Sequence, residues 1–248
     1  MKFNVLLLAR HTVARDTVEF HFEKPANFEY KAGQTIDLTL INPPETDADG
    51  NTRTYSLVSA SHEPHLAIAT RMRRTAFKRV LGAMEAGGKV EIDGPMGSFT
   101  LHQNIARPAI FLVGGIGITP FYSMIKDATE RSLPHEIYLF YSNRTPEDGP
   151  YLEELRALEK KNSHLHIVFT MTKLPESVSW EGERGYITID MVKKYVPDPA
   201  SPASSQGGLS NAIYYSAGPA AMVSAMRRML ADAGISDDDV RSEDFAGY

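Results

Sequence analysis

The apolar pattern of this chain changes period once, and that change limits the fold more than any other feature. Up to about residue 100 it runs in short alternating stretches, FNVLLLARH, DTVEFHFEK, QTIDLTLIN, RTYSLVSA, HLAIATRM and KVEIDG. They are rich in Val, Ile, Thr and Phe, and turn residues such as Gly33, Pro43, Pro44 and Gly50 separate them. A period of two marks half-buried strands, and six of them at this spacing predict a closed antiparallel β-barrel. One amphipathic helix, about Thr75 to Met84, interrupts the series. From about residue 108 strands alternate with helices instead. AIFLV leads to a helix at about Pro120 to Glu130, EIYLFYS to one near Tyr151–Lys161, then HLHIVFT, and AIYYSA leads to one near Pro219–Ala233. That rhythm predicts a parallel α/β sheet with helices on both faces. The boundary falls near His102–Arg107, giving domains over 1–104 and 105–248. PDPASPASSQGG (197–208) reads as a flexible insertion.

Composition narrows the function classes. A net charge of −5 argues against a nucleic-acid coat, for which a basic domain is expected. No apolar run reaches the ~18–20 residues that span a bilayer, and MKFNVLLLARHT reads as a first strand rather than a leader. Cysteine is absent, which rules out disulfides, thiolate zinc sites and any cysteine-held iron–sulfur cluster in this chain, and fits a cytoplasmic location. Among the eight histidines, His164 and His166 stand two apart with no metal-ligand spacing, so no metal site is expected.

Two stretches carry chemistry. In RTYS (53–56) a guanidinium, an aromatic ring and a hydroxyl share four residues of a strand. Arg53 suits phosphate oxygens, Tyr55 can stack on a flat heterocycle, and Ser56 can approach a ring nitrogen. In AIFLVGGIGITPFYSMI three glycines join a strand to a helix. Thr119 is expected as its N-cap and Pro120 at its first position, which makes a seat for a pyrophosphate on the bare loop at Gly115 and Gly117.

In this order, GQ at 33–34, RTYS at 53–56, GPMGSF at 94–99, GGIGITPF at 114–121, YSAGPAAM at 215–222 and a closing Tyr248 resemble the ferredoxin–NADP⁺ reductase superfamily over nearly the whole length. The resemblance implies a flavin-binding barrel and an NAD(P)-binding α/β nucleotide-binding domain, with FAD as cofactor and NADPH or NADH as co-substrate. It gives Arg53 to the flavin phosphate, Tyr55 to the isoalloxazine face and Ser56 to flavin N5. It places the flavin pyrophosphate at the start of the basic helix, with Arg71 in the strand before it, Thr75 as cap, and the N–H groups near Ala76 and Phe77 left for the anion. It sets Ala217, Gly218 and Pro219 beside the nicotinamide, with Ala217 where the family usually has Cys. Ser142 and Arg144, helped by Lys173, are placed at the adenosine ribose and a 2′-phosphate. The resemblance further implies that Tyr248 covers the flavin and moves aside for hydride transfer; the alternative is that Phe245 docks and Tyr248 frays. Catalytic roles thus fall to Ser56, Tyr55 and Tyr248.

With no cluster of its own, a monomer of this kind passes electrons to a separate acceptor: ferredoxin, flavodoxin or an oxygenase component. Five of the nine residues from Arg71 to Arg79 are basic, which suits an acidic protein partner. A free-flavin or ferric-chelate reductase is the second reading, and a flavin-binding module that senses pyridine nucleotide without turnover is the third.

Overall fold

The computed structural model describes residues 1–197 and 207–245. They form two compact units, Met1–Thr100 with Thr119–Asp127, and Leu101–Ile118 with Ala128–Tyr248. Of the expected insertion at 197–208, residues 198–206 lie outside the described residues, and so does Tyr248.

The first unit holds strands β1 (Lys2–Ala14), β2 (Thr17–Glu23), β3 (Thr35–Leu40), β4 (Thr52–Ser56), β5 (His65–Arg71) and β6 (Lys89–Met96), with helix α1 (Ala76–Ala83). All pairings are antiparallel, in the order β4-β3-β6-β1-β2-β5. The two edges are brought together after β4, where Leu57 makes an isolated bridge to Ile68 and the Val58 N–H donates to the Ala67 carbonyl at 2.7 Å. The barrel is thus joined by a bridge rather than a full ladder. Alternate residues point inward: Val5 and Leu7, Phe20 and Phe22, Ile36 and Leu38, Leu66 and Ile68, Val90 and Ile92 share one core. Phe77 and Leu81, one turn apart on α1, fill the same core. Helix α1 is capped as expected, with the Thr75 hydroxyl accepting from the Lys78 N–H at 3.3 Å.

The second unit is a parallel sheet of β7 (Ala109–Gly114), β8 (Ile137–Asn143), β9 (Leu165–Met171), β10 (Glu183–Arg184), β11 (Ile213–Gly218) and β12 (Val240–Asp244). Their order is β10-β9-β8-β7-β11-β12, parallel throughout. Every residue of β7 and of β11 is buried, which matches the unbroken apolar run of β7 and the largely apolar one of β11, where Ser216 is the polar exception. The helices that follow β7 in the chain are α2 (Ile118–Glu130), whose Thr119–Asp127 stretch belongs to the first unit, and α3 (Leu152–Lys161), α4 (Ile189–Tyr195) and α5 (Ala220–Asp232) of the second. Met191 and Val192 of α4 and Met226 and Leu230 of α5 pack with Ile110, Leu112, Phe140 and Tyr214 of the sheet.

One expected cap is different. Helix α2 begins at Ile118 and continues a 3₁₀ turn over Gly115–Gly117, whose N-cap is Gly114. Thr119 is therefore inside the helix, 4% exposed, and Pro120 is its third residue. Gly115, at φ +56°, lets the chain turn helical at once on leaving β7, so the helical path starts before the threonine. Proline remains harmless there, since a first-turn N–H has no partner within the helix.

Candidate functional site

Two places in the structure, one in each unit, collect the residues singled out above. In the first unit Arg53 and Tyr55 stand on one face of β4, both half-buried. The Arg53 guanidinium lies 5.2 Å from the centroid of the Phe77 ring, and the Tyr55 and Phe77 rings are 6.2 Å apart. Burial pushes the Tyr55 phenol up to about 12, with the neighbouring Thr70 hydroxyl and the Arg53 cation acting the other way, so it stays neutral. Ser56 is 4% exposed, and its hydroxyl oxygen is buried with no hydrogen-bond partner among the described residues. Such an orphan is costly unless something outside the chain satisfies it. A half-exposed aromatic ring beside a buried hydroxyl free to donate suits a flat heterocycle that carries a ring nitrogen, so the residues present fit a flavin.

The anion seat expected at α1 is differently arranged. The Ala76 N–H is not free: it donates to the Asp47 carboxylate at 3.0 Å, and the same carboxylate accepts from Arg53 Nη2 at 3.1 Å. Asp47 lies 29 residues before Ala76, in a stretch that reads only as a polar turn. The basic run is also smaller than it looks. Arg79 pairs with Glu45, and the Lys78 ammonium donates to the Arg71 carbonyl at 2.8 Å. Burial, with Arg73 and Arg53 nearby, pulls the Lys78 ammonium down to about 8. Arg73 and Arg74 are exposed and form what remains of a basic surface.

In the second unit the chain proceeds from β7 to β8 on one side and from β11 to β12 on the other. The carboxyl ends of β7 and β11 are therefore a topological switch point, the place where open α/β sheets bind ligands. GGIGITP leaves β7 there, and AGP leaves β11. The two turns lie back to back: a Cβ on Gly117 would come within 2.4 Å of the Ala217 carbonyl oxygen, and one on Gly114 within 2.2 Å of Met222 Sδ. Gly115, Gly117, Ala217, Gly218 and Pro219 are thus brought together by the fold. Ser142 is half-buried one strand away, level with Gly114. Arg144 and Lys173 are exposed at the ends of β8 and β9, linked by a 2.9 Å hydrogen bond from the Lys173 N–H to the Arg144 carbonyl.

Sequence reasoning missed Glu243. It sits on the unpredicted edge strand β12, paired in register with Ala217, and its Oε2 is buried with no partner among the described residues. Phe245 follows, its N–H donating to the Gly218 carbonyl at 3.1 Å, which ties its backbone to the end of β11. Burial pushes the Glu243 carboxyl up to about 7. The folded protein then holds this proton more tightly than the unfolded chain, so the contribution to stability is complete below the unfolded value and is lost as pH rises towards 7. Glu243→Gln should remove this loss. The variant's melting temperature, followed from pH 5 to 8, should gain on wild type by about 1–2 kcal/mol of stability, allowing for partial exposure. Parallel curves for the two proteins would refute the assignment.

Residues 111–228 match the oxidoreductase NAD-binding domain family. A ferredoxin–NADP reductase B from Sorangium cellulosum is 28% identical over 197 residues, which cover 78% of each chain. A glycine betaine monooxygenase reductase subunit from Pseudomonas aeruginosa is 29% identical over 72% of this chain and 49% of its own. Most of the curated relatives are longer, and the chain spans only 33–57% of them. A ferredoxin NADP⁺ reductase from Neisseria gonorrhoeae, solved with bound FAD and NADP, superposes with a TM-score of 0.79 over 98% of both chains at 19% identity. The motif order, the antiparallel sheet followed by the parallel one, the switch point and these relatives agree: residues 111–228 belong to the oxidoreductase NAD-binding domain family, and the chain as a whole resembles the ferredoxin–NADP⁺ reductase superfamily.

Proposed function

We propose that this chain is an NAD(P)H-dependent flavoprotein reductase, with residues 1–104 holding FAD, residues 105–248 holding the pyridine nucleotide, and electrons passing to a separate acceptor in the cytoplasm. The observation that carries the reading is the glycine-backed switch point formed by GGIGITP and AGP. FAD, when bound, supplies a ring nitrogen that accepts hydride from nicotinamide C4 and can release the electrons one at a time. The chain's own work is positional. Tyr55 offers a ring face, Ser56 offers a buried hydroxyl, and Gly115, Gly117 and Gly218 let a nucleotide approach the backbone closely. Tyr248, outside the described residues, keeps its proposed role as a movable cover.

The acceptor follows from two supports. With no cysteine the chain holds no cysteine-ligated cluster, and the relatives named above include a ferredoxin reductase and a reductase subunit of a monooxygenase. Arg73 and Arg74 suit an acidic redox protein such as ferredoxin or flavodoxin. A free-flavin or ferric-chelate reductase is the second reading, favoured by the Asp47 carboxylate on the groups expected to hold flavin phosphate.

Arg144 and Lys173 support NADPH as the preferred co-substrate, since both are cations at the strand ends where a 2′-phosphate is expected. The absorption spectrum of purified protein, before and after one equivalent of NADPH or NADH, tests the reading. A bound oxidised flavin should be bleached by either, faster by NADPH. Arg144→Ala should raise KM for NADPH roughly tenfold and leave NADH unchanged, as expected for one charge-assisted hydrogen bond. Colourless protein that takes up no FAD would overturn the proposal; a flavin that stays oxidised under NADPH would turn it into a nucleotide sensor.

A further inference from the structure

The loop between β3 and β4 carries Glu45, Asp47 and Asp49, and it is fastened across the start of α1. Glu45 pairs with Arg79 on the helix. Asp47 Oδ2 accepts from the Ala76 N–H at 3.0 Å, while Oδ1 accepts from Arg53 Nη2 at 3.1 Å and the Asp49 N–H at 3.2 Å. Arg53 Nη1 is turned to the same loop and donates to the carbonyls of Asp49, Gly50 and Thr52 at 2.8, 3.2 and 2.7 Å. Burial alone would raise the Asp47 carboxyl, yet the Ala76 N–H and Arg53 hold it below the usual carboxylate range. Two oxygens shared between a guanidinium and a helix N-terminus satisfy the donors that a phosphate satisfies.

We propose that Asp47 is an internal competitor for flavin phosphate: phosphate-bearing flavins reach Arg53 and the start of α1 only as this carboxylate leaves. The inference rests on the flavin reading above and goes further, naming the residue that sets how tightly FAD and FMN are held relative to riboflavin, which has no phosphate. The loop is able to leave. Asp49 is 79% exposed and Glu45 42%, and ion pairs this open contribute little to holding a segment down. A doubly charged pyrophosphate gains more from Arg53 than one carboxylate does, but its net gain is reduced by what Asp47 gives up. A flavin held this way exchanges readily with the free pool, as a flavin-reducing enzyme requires.

The test uses the full chain freed of flavin and titrated with FAD, FMN and riboflavin, read by flavin fluorescence. Asp47→Asn and Asp47→Ala should each tighten FAD and FMN roughly tenfold, the size of one charge-assisted contact, and leave riboflavin unchanged. In an Arg53→Ala background the gain should shrink, because Asp47 acts largely through that cation. Unchanged or weaker FAD and FMN binding in the Asp47 variants would overturn the proposal and make Asp47 a positioning residue for Arg53. Equal tightening of riboflavin would also overturn it, since an opened loop rather than a freed phosphate seat would then be the cause. Failure of the flavin reading itself looks different: none of the three flavins would bind to any of the proteins.

Discussion

Ser56→Ala should slow NADPH oxidation by about 10²–10³-fold and at the same time raise the melting temperature by about 2–4 °C. The two effects have one origin. Ser56 is 4% exposed and its oxygen has no hydrogen-bond partner among the described residues. A buried hydroxyl in that state costs about 1–3 kcal/mol, so its removal should relieve the fold by roughly 1 kcal/mol once the lost contacts of the oxygen are subtracted. Under the proposed function the same hydroxyl is a preorganised donor aimed at the ring nitrogen that receives hydride, and losing one such donor typically costs two to three powers of ten in rate. A residue that merely packs would show the opposite pattern, with stability falling and the rate barely moving. Flavin content should stay near wild type, because Arg53 and Tyr55 are untouched. Stopped-flow reduction by NADPH beside thermal melts decides the matter. A variant that is less stable and equally fast would remove Ser56 from the site.

Much of this architecture is legible from local periodicity. The six barrel strands alternate because only one face is buried, as Val5 and Leu7 or Ile36 and Leu38 show. The runs AIFLV and IYYSA do not alternate because β7 and β11 are buried on both faces. Elements too short or too polar to carry a period are the ones that escape. Helix α4 has seven residues, β10 has two, and the sequence of β12, VRSED, is that of a polar edge strand. The cap of α2 misleads because Thr119 and Pro120 form a strong N-terminal signature, while the three glycines before them start the helical path earlier.

The site residues divide in the same way. RTYS and GGIGITP are contiguous, and each presents its chemistry within one turn or strand, so both can be found in the sequence. Asp47 and Glu243 cannot. Asp47 matters only because the β3–β4 loop folds onto α1, where its carboxylate meets Ala76 from 29 positions away. Glu243 matters only because β12 pairs with β11 and buries one of its carboxylate oxygens. Both effects are long-range placements of an ordinary acid, and no local pattern records them. The two also act in opposite senses on their charge: Asp47 is held ionised by its partners, whereas burial raises the Glu243 carboxyl, whose Oε2 has no partner among the described residues.

Gly117→Ala should cost the second unit about 3 kcal/mol, near the upper end for overpacking, and cripple its use of NADPH while leaving flavin content intact. The added Cβ would stand 2.4 Å from the Ala217 carbonyl oxygen, 2.6 Å from its carbon and 2.7 Å from Gly218 Cα. All three are backbone atoms of β11, so no side chain can swing away to make room. The turn after β7 and the turn after β11 must separate, and they are the two walls of the switch point. The melting temperature should fall by about 6–12 °C for a change of that size in a chain of this length. Displacing the backbone that a pyrophosphate must approach should raise KM for NADPH by more than tenfold, beyond what lost stability explains, because folded enzyme still predominates at assay temperature. Flavin absorbance per mole should match wild type, since RTYS and α1 belong to the first unit. Steady-state kinetics, flavin content and thermal melts on one preparation provide the three readings. A variant with an ordinary KM and a lowered melting temperature would show that the close approach of the two turns serves packing alone, and the pyridine nucleotide would have to be sought elsewhere on the sheet.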